Sequence, residues 1–338
     1  MPEREESRLT VLLALGANLG IGLLKLAAGL LSGSGALLSE AAHSLGDSAT
    51  ELLLLTALQR SDRPADRRHP FGYGKERYFW SFLAAMAIFG SGAIFSLYQG
   101  IHTIIDRPRQ DRLWLNLGVL AAAAVLEATS LRQGLRQAQG GARRRSRSLS
   151  AHLREPDDPT VKSVVLEDSA ALLGLALAAA GVTLHAVTGS AVFDGIASLL
   201  IGVLLVAVAG SLAQSCKTLL IGRQADVALV RDVEAWLERQ AEVVDVVDLL
   251  TMWIGVDSVL LCVRLDIVDS IESSELERAC VRMESELRAE FPVLGEIFLE
   301  PVPRNDPDLQ ARVRARYGPD RLRAPEQTVS KPTDVIGK

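Results

Sequence analysis

Six stretches of the chain are apolar for long enough to cross a bilayer: residues 9–31, 36–58, 78–103, 112–134, 161–187 and 191–215. A hydrocarbon core of about 30 Å takes about 20 helical residues to cross. In lipid every backbone amide must find its partner within its own segment, so these runs predict six transmembrane helices. Short uncharged links join the first pair (Ser32-Gly33-Ser34-Gly35) and the last pair (Thr188-Gly189-Ser190). After Gly222 the pattern changes. Val227, Val230, Val233 and Leu237 recur at helical spacing, and Leu276, Ala279, Met283 and Leu287 do so over 272–290. Residues 243–253 and 258–268 are rich in β-branched residues, the second alternating as Val259, Leu261, Val263, Leu265 and Ile267. Ile297–Leu299 reads as a short strand before Pro301. The fold expected is a membrane all-α bundle of six transmembrane helices over 1–221, followed over 222–303 by a small α+β domain of αββαβ order, ferredoxin-like, with helices on one face of a sheet. Residues 304–338 show no period and are expected to be disordered.

Charge follows the same division. Hydrophobic residues make up 49% of the chain and charged residues 23%, and the mean hydropathy is +0.21. Segments 1–221, 222–303 and 304–338 carry net charges of +3, -11 and +3. Nothing in this balance supports nucleic-acid binding through an overall basic surface. Arg60, Arg63, Arg67, Arg68, Lys75 and Arg77 fill the loop between the second and third runs, and Arg136, Arg143, Arg144, Arg145, Arg147 and Arg154 that between the fourth and fifth. The positive-inside rule puts these loops and both termini in the cytoplasm. The Arg143–Arg147 run is read as part of that topology signal. Cys216, Cys262 and Cys280 are too few and too scattered for a disulfide framework or a CxxC zinc site. The opening MPEREESRLT lacks a basic region followed by a short apolar core, so no cleaved signal peptide is expected. Arginine outnumbers lysine 30 to 6, a hint of a GC-rich bacterial genome.

Ionisable groups inside a membrane span cost a few kcal/mol each and are functional candidates by default. The second run carries Glu40, His43, Asp47 and Glu51 on one helical stripe. His43 and Asp47 stand one turn apart and can share a divalent cation, imidazole nitrogen and carboxylate oxygen being standard zinc ligands. Glu40 and Glu51 lie toward opposite ends of the run and are open to an interfacial or water-facing reading. Asp168 sits about 10 Å into the fifth run at ~1.5 Å per residue, a depth it can share with the His-Asp pair. Asn18 in the first run can add a carbonyl oxygen. Lys25 and Glu127, of opposite sign and both mid-span, are candidates for a structural ion pair, while Asp194 is open to an interfacial or a functional role. The Gly16/Gly20 and Gly29/Gly33 spacings permit close helix packing.

These residues sit in recognisable surroundings. The AAHSLGDS stretch (Ala41–Ser48), HPFGYGKER (His69–Arg77), LEDSAALLG (Leu166–Gly174) and LLIG (Leu219–Gly222) make the chain resemble the cation diffusion facilitator family of divalent-metal transporters, over about residues 1–303. The resemblance implies a homodimer with six membrane helices per chain and a central metal site built from spans two and five. Carried over, its ligands are His43, Asp47 and Asp168. The chain departs from the pattern at Val164, where a fourth ligand, usually His or Asp, would sit. Asn18 or Glu167 then become candidates to complete a tetrahedral site, although Glu167 points about 100° around the helix from Asp168. More oxygen and fewer nitrogen ligands favour harder ions such as Mn2+. With no His beyond His185, a His-based zinc site in the C-terminal domain is excluded, leaving dimerisation as that domain's expected role.

The expected function is proton-coupled, alternating-access export of Zn2+, or of Mn2+, Fe2+ or Co2+, from the cytoplasm. The chain is expected to be a secondary transporter rather than an enzyme, without a cofactor, in the lipid of a bacterial inner membrane. The alternative is a non-transporting scaffold or metal sensor that kept the fold with an incomplete site. An intramembrane protease is disfavoured, because the carboxylates it would need are already assigned.

Overall fold

A computed structural model describes residues 2–108, 112–144 and 159–317. The chain forms two compact units, Met1–Gly222 with Ile254–Asp257 and Arg223–Trp253 with Ser258–Lys338. The first is helical: α1 (Pro2–Ser32), α2 (Gly35–Ser61), α3 (Glu76–Ala87), a π-helical segment (Ile88–Ile94), α4 (Phe95–Asp106), α5 (Leu113–Arg144), α6 (Pro159–Thr188) and α7 (Val192–Ile221). Among the described residues, four helical stretches are long and apolar enough to cross a membrane: Glu76–Asp106, Leu113–Gly140, Val164–Thr188 and Val192–Ile221. The first joins α3, the π segment and α4. α2, expected as a span, does not meet that measure, and α1 enters it only in part. The apolar part of α1 counted there is Asn18–Ser32, and Glu40, His43, Asp47 and Glu51 lower the hydropathy of α2.

The polarity of this unit is inverted relative to a water-soluble protein. Lys25, Glu40 and Asp194 have no exposed surface and His43 has 1%, while Leu30, Ile105, Trp114 and Val187 are exposed at 68%, 71%, 83% and 78%. That is the arrangement expected when lipid is the solvent. The apolar part of the interior runs through Ile21, Leu37, Ile88, Leu120, Leu175 and Ile201. Gly100 and Gly195 bring α4 and α7 into backbone contact, and a methyl group on either would meet the other's carbonyl oxygen at 2.8 Å. Gly29 packs on Leu38, whereas Gly16 and Gly20 face open space in the described chain.

The loop between α2 and α3 has its own order. Asp66 Oδ1 accepts from the Arg68 and His69 amides at 2.8 Å each, and Oδ2 accepts from the Tyr73 hydroxyl at 2.8 Å. The His69 and Tyr73 rings lie 4.2 Å apart. The Tyr73 hydroxyl, then the backbone amides, hold the Asp66 carboxyl below its ordinary range. A lowered carboxylate pKa stabilises the ordered loop above the ordinary value of about 3.9 and is lost as the pH falls through the lowered one. Hydrogen-exchange protection of the Arg68 and His69 amides should therefore be steady at neutral pH and collapse in acid. Asp66→Asn should weaken it already at neutral pH.

The second unit runs α8 (Val227–Glu238), β1 (Val243–Gly255), β2 (Ser258–Ile267), α9 (Ser273–Glu290), β3 (Leu294–Pro301) and α10 (Pro307–Tyr317). Its sheet has the order β1-β2-β3, and β2 pairs parallel to β3, with Leu261 opposite Ile297 and Val263 opposite Leu299. Val233, Leu237, Leu261, Leu265, Met283 and Leu287 are buried. The stretch expected to be disordered holds a helix instead. In α10, Leu309 and Val313, one turn apart, pack on Val247. Asp248, 1% exposed, receives Arg264 Nη1 at 3.2 Å and Arg316 Nη1 at 2.8 Å. Residues 318–338 of that stretch, and 145–158 with the end of the arginine run, lie outside the described residues.

Candidate functional site

The ionisable groups of α2 meet partners from three other helices. Lys25 Nζ of α1 lies 3.2 Å from Glu40 Oε2 and donates to Ser44 Oγ at 2.7 Å. Lys25 thus pairs with Glu40 and not with Glu127, the partner that opposite charge and mid-span position suggest from sequence. Glu40 is fully buried, which removes the water-facing reading. Room for it comes from Gly174 of α6, where a methyl group would run into Glu40 Oε1. Asp194 is also structural. From α7 it accepts Ser34 Oγ at 2.8 Å, the Gly35 amide at 2.5 Å and the Ala36 amide at 3.3 Å. These amides open α2, so a carboxylate here satisfies free donors at the positive end of the helix dipole.

One turn further along α2 from Glu40, His43 Nδ1 stands 3.3 Å from Asp47 Oδ1. Neither His43 Nε2 nor Asp47 Oδ1 has a hydrogen-bond partner, and both atoms are buried. One turn beyond Asp47 along α2, Asn18 Nδ2 of α1 donates to Glu51 Oε1 at 2.6 Å, leaving Glu51 Oε2 buried and unpartnered. Asn18 therefore uses an amide N–H on Glu51, a bond that does not involve the carbonyl oxygen expected to reach the site. Asp168 Oδ2 is likewise buried without a partner, although the Asp168 carboxylate does take a hydrogen bond from Ser130 of α5. Asp168, Glu127, Lys25 and Glu40 all lie close enough to Asp47 to act on it electrostatically. Glu167, 8% exposed, has interactions of its own.

Antiparallel packing orders these groups by depth. Gly174 of α6 faces Glu40 of α2; counting along both helices at ~1.5 Å per residue places Asp168 near the depth of Asp47 and Val164 near that of Glu51. The α5–α6 contacts agree, since Ser130 meets Asp168 and Gly134 meets Val164. Asn18 meets Glu51 as Lys25 meets Ser44, in the same register. Above them the π-helical segment presses Gly92 toward the His43 backbone and Ser91 toward Gly46. π-turns inside helices recur at functional sites, and sequence reading missed this one, whose only trace is the small-residue run Gly90-Ser91-Gly92.

Of the three principal candidates, the structure brings His43 and Asp47 together and sets Asp168 at their depth on a neighbouring helix. Among the described residues no three His, Cys, Asp or Glu side chains are close enough to hold one ion in this conformation. Orphaned buried polar atoms are costly, and His43, Asp47, Glu51 and Asp168 each carry one.

Comparison with known proteins agrees with this chemistry. The profile of the cation efflux transmembrane domain matches residues 11–221. Metal tolerance protein C4 of Arabidopsis thaliana is 32% identical over 222 residues, covering 66% of this chain and 49% of the relative. The mitochondrial proton-coupled zinc antiporter SLC30A9 of Homo sapiens is 30% identical over 243 residues, 72% of this chain and 43% of the relative. Magnetosome protein MamB of Magnetospira sp. is 35% identical over 88 residues, 26% of this chain and 30% of the relative. The chain thus spans half or less of the length of these relatives. A transmembrane profile over most of the helical unit, lipid-type burial and a His-Asp pair inside the bundle lead to one assignment: this integral membrane protein belongs to the cation efflux, or cation diffusion facilitator, family.

Proposed function

We propose that the protein moves a divalent metal ion, Zn2+ first among the candidates and Mn2+, Fe2+ or Co2+ after it, across the membrane in exchange for protons. The observation that carries this reading is the buried His43–Asp47 pair, 3.3 Å apart, with orphaned His43 Nε2 and Asp168 Oδ2 nearby. The name of the zinc antiporter SLC30A9, 30% identical to this chain, supports zinc as the cargo and protons as the counter-ion. In this reading α1, α2, the α3–α4 stretch, α5, α6 and α7 are six spans. Both termini are cytoplasmic, the membrane is a bacterial inner membrane, and 222–303 is a ferredoxin-like unit that joins two chains in a homodimer.

The chemistry uses one set of groups for both ions. Neutral imidazole and carboxylates hold metal, and their protonated forms release it. Metal reaches the site from the cytoplasm at the depth of Glu51 and Asn18. Helix motion draws Asp168 toward His43 and Asp47, and protons from the outer side discharge the cargo. In this reading the Lys25–Glu40–Ser44 cluster, buried one turn from His43, seals the outer side. Titration of purified protein with Zn2+, Mn2+, Fe2+, Co2+ and Cd2+ should give saturable binding, tightest for Zn2+ and lost on acidification. Absence of saturable binding by any of the five would contradict the proposal and favour a scaffold without cargo.

A further inference from the structure

The depth at which Val164 leaves the site one ligand short holds a carboxylate on another helix. We infer that Glu51 of α2, held in place by Asn18 of α1, supplies the metal-binding oxygen that position 164 of α6 lacks. This rests on the transport reading above and extends its ligand set.

Geometry carries the inference. Asn18 Nδ2 donates to Glu51 Oε1 at 2.6 Å, so one carboxylate oxygen is fixed and the other, Oε2, is left buried with nothing to bond. Asn18 acts as a positioning residue, the kind of supporting hydrogen bond that orients a metal-binding carboxylate. Glu51 lies one turn from Asp47, on the stripe that carries His43. The Gly174–Glu40 register puts Val164, not Asp168, opposite Glu51. Val164 itself packs with its Cγ1 against Gly134 of α5 and offers no donor atom. A second observation points to a cation here rather than to an idle acidic cluster. His43 is 1% exposed, and its Nε2 has no partner although its Nδ1 already faces Asp47. Asp168 Oδ2 is orphaned in the same way, and Asp168 lies close enough to Glu51 for their charges to interact. His43, Asp47, Glu51 and Asp168 give one nitrogen donor and three carboxylates, the number a tetrahedral zinc requires. The oxygen-rich set also makes Mn2+ a better competitor than it would be at a two-histidine site.

The test is a rescue. Zn2+ affinity is measured by calorimetry on the full-length protein and on Glu51→Gln, Asn18→Ala, Val164→His and the doubles that join Val164→His to each of the first two. Glu51→Gln keeps shape and hydrogen-bonding capacity, so it tests the charge and not the fold. Loss of the positioning bond in Asn18→Ala should weaken Zn2+ by about tenfold, and Glu51→Gln by about a hundredfold. Adding Val164→His should restore most of both losses, since the new imidazole rises at the depth that Glu51 serves. A purely structural defect at Asn18 would not be repaired from α6. Parent-like affinity in Glu51→Gln would overturn the inference, as would a double mutant no better than Glu51→Gln alone. The pair His43→Ala, Asp47→Ala serves as the control. If it too binds Zn2+ like the parent, the transport site itself is misplaced; if it fails while Glu51→Gln is normal, only the role of Glu51 falls.

Discussion

Replacing both His43 and Asp47 by alanine should abolish Zn2+ movement by the protein in liposomes while leaving the helical unit folded. The two side chains are one turn apart on α2 and 3.3 Å from each other. Among the described residues no other imidazole lies beside this pair: His102 sits exposed near the end of α4 next to Asp106, His185 near the far end of α6 and His69 in a loop. Removing them takes away the nitrogen donor and one of the carboxylates at a single stroke. If the proposed site is tetrahedral, loss of two of its ligands leaves too few donors to replace the ion's water shell. The fold should survive, because each alanine relieves buried acceptors that have no hydrogen-bond partner, and such groups cost stability rather than supply it. The measurement is Zn2+ uptake into dye-loaded vesicles, with melting in detergent as the check on folding. Uptake at the parent rate by a well-folded double mutant would remove His43 and Asp47 from the site.

Lys25→Met should have the largest effect on stability. Lys25 and Glu40 have no exposed surface, and the ion pair sits where lipid and protein exclude water. Deleting one partner of a buried pair costs about 3–5 kcal/mol, because the other charge stays buried alone. Glu40 cannot swing away, for Gly174 of α6 closes on its Oε1. Lys25→Met should thus lower the melting temperature in detergent sharply, and the double change Lys25→Met, Glu40→Gln should recover much of the loss. The pair also ties α1, α2 and α6 together one turn outward from His43. Its loss should let Zn2+ leak without proton exchange in any variant that still folds. An unchanged melting temperature in Lys25→Met would show that Glu40 finds another partner or reaches solvent.

How far the sequence reveals this arrangement depends on the interaction concerned. The apolar runs behind α5, α6 and α7 and the α3–α4 stretch stand out because lipid-facing helices are apolar on most sides. α2 stands out less, since its buried polar stripe lowers its mean hydropathy around Glu40, His43, Asp47 and Glu51. The His43–Asp47 pair is legible because four-residue spacing alone puts two side chains on one face. Lys25–Glu40 is not found by matching charges in the middle of spans, which suggests Glu127. Counting outward from the Gly33-Ser34 turn brings Lys25 level with position 42 of α2, between Glu40 and Ser44, both of which it reaches. Asp194, open from sequence to an interfacial or a functional role, is brought by folding under the first amides of α2, its contact with the Gly35 amide lying 159 positions away in sequence. α10 is hidden for a different reason. Its apolar face is only Leu309 and Val313, and the Arg, Asp and Pro around them resemble an unstructured tail.

The most direct test of the account is Zn2+ flux by the unmodified protein in sealed liposomes with a pH difference across the membrane. Saturable Zn2+ movement that quickens when the opposite compartment is made more acidic, and stops when the pH difference is collapsed with an ionophore, is the result predicted. Vesicles holding folded protein that pass none of Zn2+, Mn2+, Fe2+ or Co2+ under any pH difference would contradict it.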